Sequence, residues 1–355
     1  MPFTIPQNND LTINKLSSVF NNTSASYKFY WFISILQLFS DRNSQKIPIR
    51  DILIRMICNA WYPINYYKLN FGYSDKLNEN IALIQKVLNI PIGVSLNDLF
   101  LLLQNSTNPL VNKLIIHFEQ LVPYRFISPW IKGSKNEVIK KSQNYNNNCL
   151  YSLNIDDTNC VHINPDWRDY LYKNNKILLD FSYWNLLQYL QIRNPNVPNI
   201  GNKLIKPIVR ANLNNQRRFW NLVLNEIGPI KCIYTGKSLQ VGNYDIEHFI
   251  PWSFVSHDQL WNLIPADSSV NSSKSNKLPP LERYFESFVT TQYEAINIAF
   301  SNNMEIRLLE DYLILGSSIS DIIQKPYSDF KKKYYNILSP LVQIASNSGF
   351  EFWNS

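Results

Sequence analysis

The sequence predicts an α+β fold that is mostly α: helices through most of its length and one small mixed unit past its middle. Three observations carry that expectation. Apolar stretches recur with helical spacing and are broken by Pro, Gly or Asn. Glycine is scarce, 9 residues in 355, against roughly 7% in an average domain, which argues against a turn-rich all-β fold. Strand-like alternation is confined to two short regions, 149–164 and 231–250.

The first helix is expected in "SASYKFYWFISILQLFS" (24–40), which opens on small polar residues and then carries apolar residues on every turn. "IPIRDILIRMICNAWY" (47–62), "SDKLNENIALIQKVLN" (74–89), "SLNDLFLLLQ" (95–104) and "NPLVNKLIIHFEQL" (108–121) come next as further helices. "IKGSKNEVIKKSQNYNNN" (131–148) is polar and basic and reads as an exposed loop, where Lys132, Lys135, Lys140 and Lys141 could meet phosphates. "CLYSLNI" (149–155) and "NCVHIN" (159–164) read as a hairpin, with His162 an ordinary strand residue. "KILLDFSYWNLLQYLQIR" (176–193) is a long helix, and the Pro- and Asn-rich "NPNVPNIGNK" (194–203) marks a domain boundary. The expected organisation is a mostly helical region over 1–200, a small mixed unit over 204–283 and a helical C-terminal extension over 284–355.

Composition excludes several classes. Hydrophobic residues make up 45% and charged residues 17%, a globular balance rather than a disordered one. The oiliest run, "FYWFISIL" (29–36), falls well short of the roughly 18 apolar residues of a membrane span, so no membrane partner is expected. The start, "MPFTIPQNND", has neither a basic nor an apolar leader segment, and a cytoplasmic location is expected. The four cysteines lie apart and form no C-x-x-C pair, which fits reduced thiols. The net charge is +7, with the basic excess before and around the mixed unit and an acidic balance beyond 284. That balance is compatible with a nucleic-acid partner without specifying one.

Within the mixed unit, "NLNNQRRFWNLVLNEI" (212–227) is a helix bearing Arg217 and Arg218. "KCIYTG" (231–236) reads as a strand leading into a glycine turn, "LQVGNYDIEHFI" (239–250) as its hairpin partner, stopped by Pro251. From Ser268 a polar helix, "SSVNSSKSNKL", completes a ββα unit. The second strand concentrates Asp245, Glu247 and one of only four histidines, His248, in four positions. On a regular strand Asp245 and Glu247 share a face and His248 lies opposite. Glu247 and His248 therefore serve one site only if the strand ends or twists there, as Pro251 makes reasonable. On the helix, Asn271 and Lys274 are three apart and point the same way. A carboxylate and an amide oxygen are hard ligands suited to one Mg²⁺ or Mn²⁺ that keeps several waters. A histidine that titrates near neutral pH could deprotonate an attacking water, and Lys274 could supply a point charge to a phosphate oxygen. Together these suit hydrolysis of a phosphodiester.

The combination "KCIYTG…YDIEHFIPWSFV…DQLWNLI…SSVNSSKSNKLPP" resembles the HNH (ββα-metal) endonuclease family. It is similar to the HNH domains of RNA-guided CRISPR nucleases and of prokaryotic restriction and defence nucleases. The resemblance covers roughly 230–283. It implies that Glu247 and Asn271 are the metal ligands and His248 the general base. Asn262, fourteen residues after His248 and nine before Asn271, would tie the loop backbone that holds the histidine, and Lys274 would be the basic residue of the ending N-x-x-K. Two positions depart from the common pattern: the acid is Glu rather than Asp, and the last ligand is Asn rather than His. Many members also hold a structural zinc on two C-x-x-C pairs. Here Thr235, Asp267 and Val270 stand where three of the cysteines would be, so no structural zinc is expected.

The resemblance implies a metal-dependent endonuclease acting on DNA, with double-stranded DNA the expected substrate. Arg210, Arg217, Arg218, Lys274 and Lys277 are the candidate nucleic-acid contacts. A role as an effector of prokaryotic restriction or anti-phage defence follows from the resemblance. The first 200 residues would then sense, restrain, bind DNA or recruit a protein partner. The competing readings are a DNA-binding or scaffold protein whose HNH-derived core no longer cuts, and an RNA-cleaving toxin.

Overall fold

Aromatic and branched residues on successive turns make the helix Tyr27–Arg42 the spine of the first half of the chain: Phe29, Tyr30, Trp31, Phe32, Ile33, Ile35 and Leu36 are all buried. Such a helix is apolar nearly all round and must be enclosed on several sides. It packs against the helices Ile49–Asn65 and Asn175–Arg193. The computed structural model describes residues 4–42, 44–155, 158–206, 212–304 and 306–354. Two compact units result, one comprising Met1–Pro195 with Lys203–Lys206, the other Asn196–Asn202 with Pro207–Ser355. The fold is α+β and mostly α, as expected from the sequence.

In the first unit the helices Leu77–Leu88, Leu96–Gln104 and Pro109–Ile116 surround Ile49–Asn65. A three-stranded antiparallel sheet has Cys160–Ile163 at its centre, flanked by Lys46–Pro48 and Tyr151–Leu153. Trp31 Nε1 donates to the Tyr151 hydroxyl at 2.9 Å, which in turn donates to Pro123 O at 2.5 Å, pinning the sheet to the helical core. The basic stretch expected as a loop over 131–148 instead contains a helix, Lys135–Ser142. Ser134 and Glu137 form a reciprocal capping box at its start, which satisfies orphan N–H groups that a polar segment would otherwise leave to water. A further helix, Pro165–Lys173, begins where the Asn164 side chain accepts from Asp166 N at 3.1 Å.

The second unit opens with the helix Asn214–Ile227. The single long strand expected over 239–250 is two short pieces. Ser238–Leu239 pairs with Ile230–Lys231, the chain turns at Gly242 with φ +83°, and Asp245–His248 pairs antiparallel with Leu263–Ala266. A positive φ is a backbone region glycine enters at little cost, and it detaches the second piece from the first hairpin. The helix Ser268–Lys274 then lies against Asp245–His248. Two long helices, Leu281–Ser301 and Tyr327–Asn347, belong to this same unit and carry its core. Phe288 stacks on Phe249 with centroids 4.0 Å apart and meets Tyr334 edge-on. Among the described residues no helix is long and apolar enough to cross a membrane.

Phe288 is fully buried between the strand end and the last helix. Replacing it with alanine should cost about 3–5 kcal/mol, whereas Phe300→Ala, at a side chain 39% exposed, should stay within about 0.5 kcal/mol. Urea unfolding of the two variants, monitored by circular dichroism, checks the contrast.

Candidate active site

The strand Asp245–His248 ends in a side-chain clamp. After the pair His248–Leu263, Phe249 N donates to Asn262 O at 2.8 Å. Beyond that the Asn262 side chain takes over: Ile250 N donates to its Oδ1 at 2.8 Å, and its Nδ2 donates to Ile250 O at 2.9 Å. The fully buried amide thus serves as one more peptide unit just before Pro251, which has no N–H to offer. The segment that presents Asn262 is itself held by the C-terminal helices. Gln292 donates to Leu263 O at 2.7 Å, Tyr334 to Trp261 O at 3.0 Å, and Asp311 accepts from Leu260 N at 2.9 Å.

The clamp fixes where Glu247 and His248 point. Glu247 faces the helix Ser268–Lys274, where its Oε1 accepts from Lys274 Nζ at 2.8 Å. The same ammonium donates to His248 O at 2.7 Å. Strand alternation sends the His248 ring the other way. There its Nε2 meets Asp258 Oδ1 at 2.9 Å.

Lys274 differs from the expectation of a lysine reaching a phosphate. It is 0% exposed, and its charge is directed at Glu247 and a backbone carbonyl. Its pKa is lowered by burial, an effect that the Glu247 carboxylate opposes. A buried ammonium loses hydration and needs a carboxylate and a carbonyl to replace it. Asn271, one turn earlier on the same helix, is exposed, and among the described residues its side-chain amide makes no hydrogen bond. Arg217 lies exposed on the helix Asn214–Ile227, its guanidinium donating to Tyr244 O at 3.3 Å, beside the start of the strand Asp245–His248. Arg218 and Lys277 are also exposed, and Arg210 falls outside the described residues. Asp245 sits half-buried at the strand's start.

Two side chains to which the sequence assigns no site role complete the geometry. Asp258 stands on the turn after the short helix Trp252–Val255, where an acid ordinarily reads as a solvated loop residue. Its only signal is its place between the histidine and Asn262. Asp267 caps the helix Ser268–Lys274, accepting from Ser269 N at 3.1 Å and from the Ser269 hydroxyl, and pairs with Lys237 at 3.0 Å. The bond from Ser269 and the Lys237 charge hold its carboxyl down to about 2. The Sγ of Cys232, a free and buried thiol, accepts from Asp267 N at 3.4 Å.

A divalent ion fits the donors on offer. Oε2 of Glu247 has no protein hydrogen bond among the described residues, and the exposed Asn271 amide stands on the helix that Glu247 faces. Among the described residues the buried Tyr234 hydroxyl has no hydrogen-bond partner; burial first and then the Glu247 charge raise its pKa well above normal. A hydrated Mg²⁺ or Mn²⁺, which keeps most of its waters and takes one or two protein oxygens, suits such a set better than a dehydrated ion would. Among the described residues no three His, Cys, Asp or Glu side chains converge on a common point.

Lys274→Met should destabilise the second unit by about 3 kcal/mol, because it leaves a buried carboxylate without its cation. Adding Glu247→Gln should restore most of that loss in the same thermal-melting series. The Asp267 cap gives a pH signature. Its pKa is about 2 in the folded protein against 3.8 as the ordinary value. Its contribution is therefore fully present above about pH 4 and is lost as pH falls toward 2. The melting-temperature gap between wild type and Asp267→Ala should stay constant above pH 4 and narrow below it.

Comparison with known proteins bears on the same stretch. The HNH endonuclease family model matches residues 232–280. The CRISPR-associated endonuclease Cas9 of Listeria innocua is 32% identical over 91 residues, a match that spans 24% of this chain and 6% of that protein. No solved structure matches the chain. The matched window contains the clamp residue, the strand-end acid and histidine, and the helix that faces them. Residues 232–280 therefore form an HNH endonuclease domain.

Proposed function

We propose that the protein is a metal-dependent endonuclease that hydrolyses DNA phosphodiesters. Glu247 and Asn271 hold one Mg²⁺ or Mn²⁺, and His248 takes the proton of the attacking water. The observation that carries this reading is the adjacency of Glu247 and His248 on a strand end fixed by Asn262, inside a stretch matched by the HNH endonuclease family.

When bound, the ion supplies positive charge at the scissile phosphate and its leaving oxygen. The chain's own residues do the rest. Lys274 holds the Glu247 carboxylate toward the helix and, through His248 O, fixes the backbone from which the imidazole projects. His248, 9% exposed, can accept a proton while most of its surface is shielded from bulk water. Asn262 keeps both residues in register by removing the freedom of the strand end. Arg217 and Arg218, exposed on the preceding helix, and Lys277 supply phosphate contacts.

Double-stranded DNA is the substrate this reading favours; the relative's name, an endonuclease, supports a nucleic-acid substrate. A role in prokaryotic restriction or anti-phage defence, in the cytoplasm and under control of the helical N-terminal unit or a protein partner, is the setting we propose. The second reading, a core that binds but does not cut, draws on one observation: Lys274 already neutralises one oxygen of Glu247, which weakens the pull on a divalent ion.

Supercoiled plasmid incubated with the full-length protein in Mg²⁺ or Mn²⁺ should be nicked or linearised, and EDTA should abolish the reaction. His248→Ala should lower the rate by about 10²–10⁴-fold while leaving plasmid binding within twofold. Plasmid binding with no cleavage in either metal would move the assignment to the non-cutting reading.

A further inference from the structure

We propose that Asp258 is the positioning residue for His248: it receives the Nε2 proton in a hydrogen bond and thereby leaves Nδ1 as the nitrogen that takes the proton of water. This rests on the nuclease reading for its chemistry, but the pairing itself can be tested without cleavage.

A carboxylate at neutral pH only accepts hydrogen bonds. With Asp258 Oδ1 2.9 Å from His248 Nε2, that nitrogen is the donor, and in a neutral imidazole the lone pair then lies on Nδ1. The carboxylate is well anchored for the task. Its own backbone carbonyl accepts from Gln216 Nε2 at 2.9 Å. On one side Ser256 N closes the preceding helical turn onto Trp252 O at 2.7 Å. On the other, Leu260 N is tied to Asp311, and Asn262 comes two residues later. The His248 and Asp258 side chains are 11% and 23% exposed, so the contact is partly shielded from water and stronger than an exposed ion pair.

In the proposed step an O–H bond of water breaks and its proton forms an N–H bond at Nδ1. The electron pair left on the water oxygen forms the new bond to phosphorus. The bond from phosphorus to the leaving oxygen breaks, and that oxygen takes a proton from solvent. Asp258 gives up no proton and takes none in this step. It orients the ring before the transfer and stabilises the imidazolium after it, the work a carboxylate does behind a catalytic histidine on unrelated folds. Asp258 touches no reacting atom and acts through the ring.

The test uses the full-length protein and two readouts. The first is plasmid cleavage by Asp258→Ala and Asp258→Glu. Asp258→Ala should lose about 10–100-fold in kcat with KM for plasmid within twofold, and Asp258→Glu should recover a substantial part. The second is ¹⁵N NMR of the imidazoles. The protein has four histidines, and His248 is assigned by the signals missing from a His248→Gln variant. Wild type should show His248 as the Nε2–H tautomer, and Asp258→Ala should shift it to a mixture, with a melting temperature that shows the fold retained. An Nδ1–H tautomer in wild type, or no change in Asp258→Ala, would overturn the proposal whether or not the protein cuts. Faster cleavage by Asp258→Ala would also overturn it, since Asp258 would then restrain His248 rather than aim it. Wild type that cuts nothing while the tautomer result holds would remove the nuclease reading and the catalytic role built on it, leaving only the pairing.

Discussion

The second unit depends on one buried amide. Asn262 satisfies both the N–H and the C=O of Ile250, and each of those groups would cost about 1–3 kcal/mol if left buried and unpaired. Without it the strand would fray at Phe249, one residue past the histidine. With it, the turn into Pro251 is rigid, and Glu247 and His248 project from a defined end rather than from a loop. The dependence runs outward as well. The segment carrying Asn262 is gripped by Gln292, Asp311 and Tyr334, all from beyond residue 284. The C-terminal helices are therefore part of the frame that holds the site.

The buried pair Lys274–Glu247 adds a second constraint. The Glu247 carboxylate, at 5% exposure, has given up most of its hydration and needs a partner in its place. The ammonium replaces part of that lost hydration and fixes the carboxylate's direction. The cost is a weaker field for an incoming cation, because one of the two oxygens already answers to Lys274. On the proposed reading, Glu247 and Asn271 would hold a water-rich ion whose remaining partners would come with the substrate phosphate. Metal and nucleic acid would then bind cooperatively, each supplying what the other lacks.

Helices are legible in the sequence because burial imposes a period: the aromatic run of 27–42 and the apolar positions of 49–65 can satisfy no other structure. The ββα unit is legible only in outline. Gly242 looks like one glycine within a strand, but its positive φ cuts the strand in two and gives Asp245–His248 a different partner. That partner, Leu263–Ala266, is four residues long and contains a proline, too short to show a period. Ser134 and Glu137 do spell a capping box, obscured by the polarity of the helix it starts. The expected roles of Glu247, His248 and Asn271 follow from local geometry, a strand end and one helical turn, whereas that of Asn262 comes from the family resemblance. The burial of Lys274 and the reach of Asp258 are not legible. Both depend on elements brought together by tertiary packing, and both residue types ordinarily face water.

The same tertiary packing answers how so small a ββα motif stays folded with the residues found at its base. About fifty residues bury too little apolar surface to stand alone without a staple. Around Cys232 this chain offers a thiol contact to Asp267 N and the Asp267–Lys237 pair, both modest. The larger contribution comes from the chain's end. Leu278 N donates to Glu351 O and Trp353 N to Leu278 O, each at 2.8 Å, so the last residues run beside the exit of the helix Ser268–Lys274. Trp353 packs with Tyr284 and Tyr234, and Tyr234 lies in the turn that opens the motif. An aromatic cluster built from residues 234, 284 and 353 thus closes the base of the unit across more than a hundred residues of sequence. Stability and the geometry of the strand end are consequently coupled: the C-terminal part that supplies the missing core also holds the Asn262 segment in place.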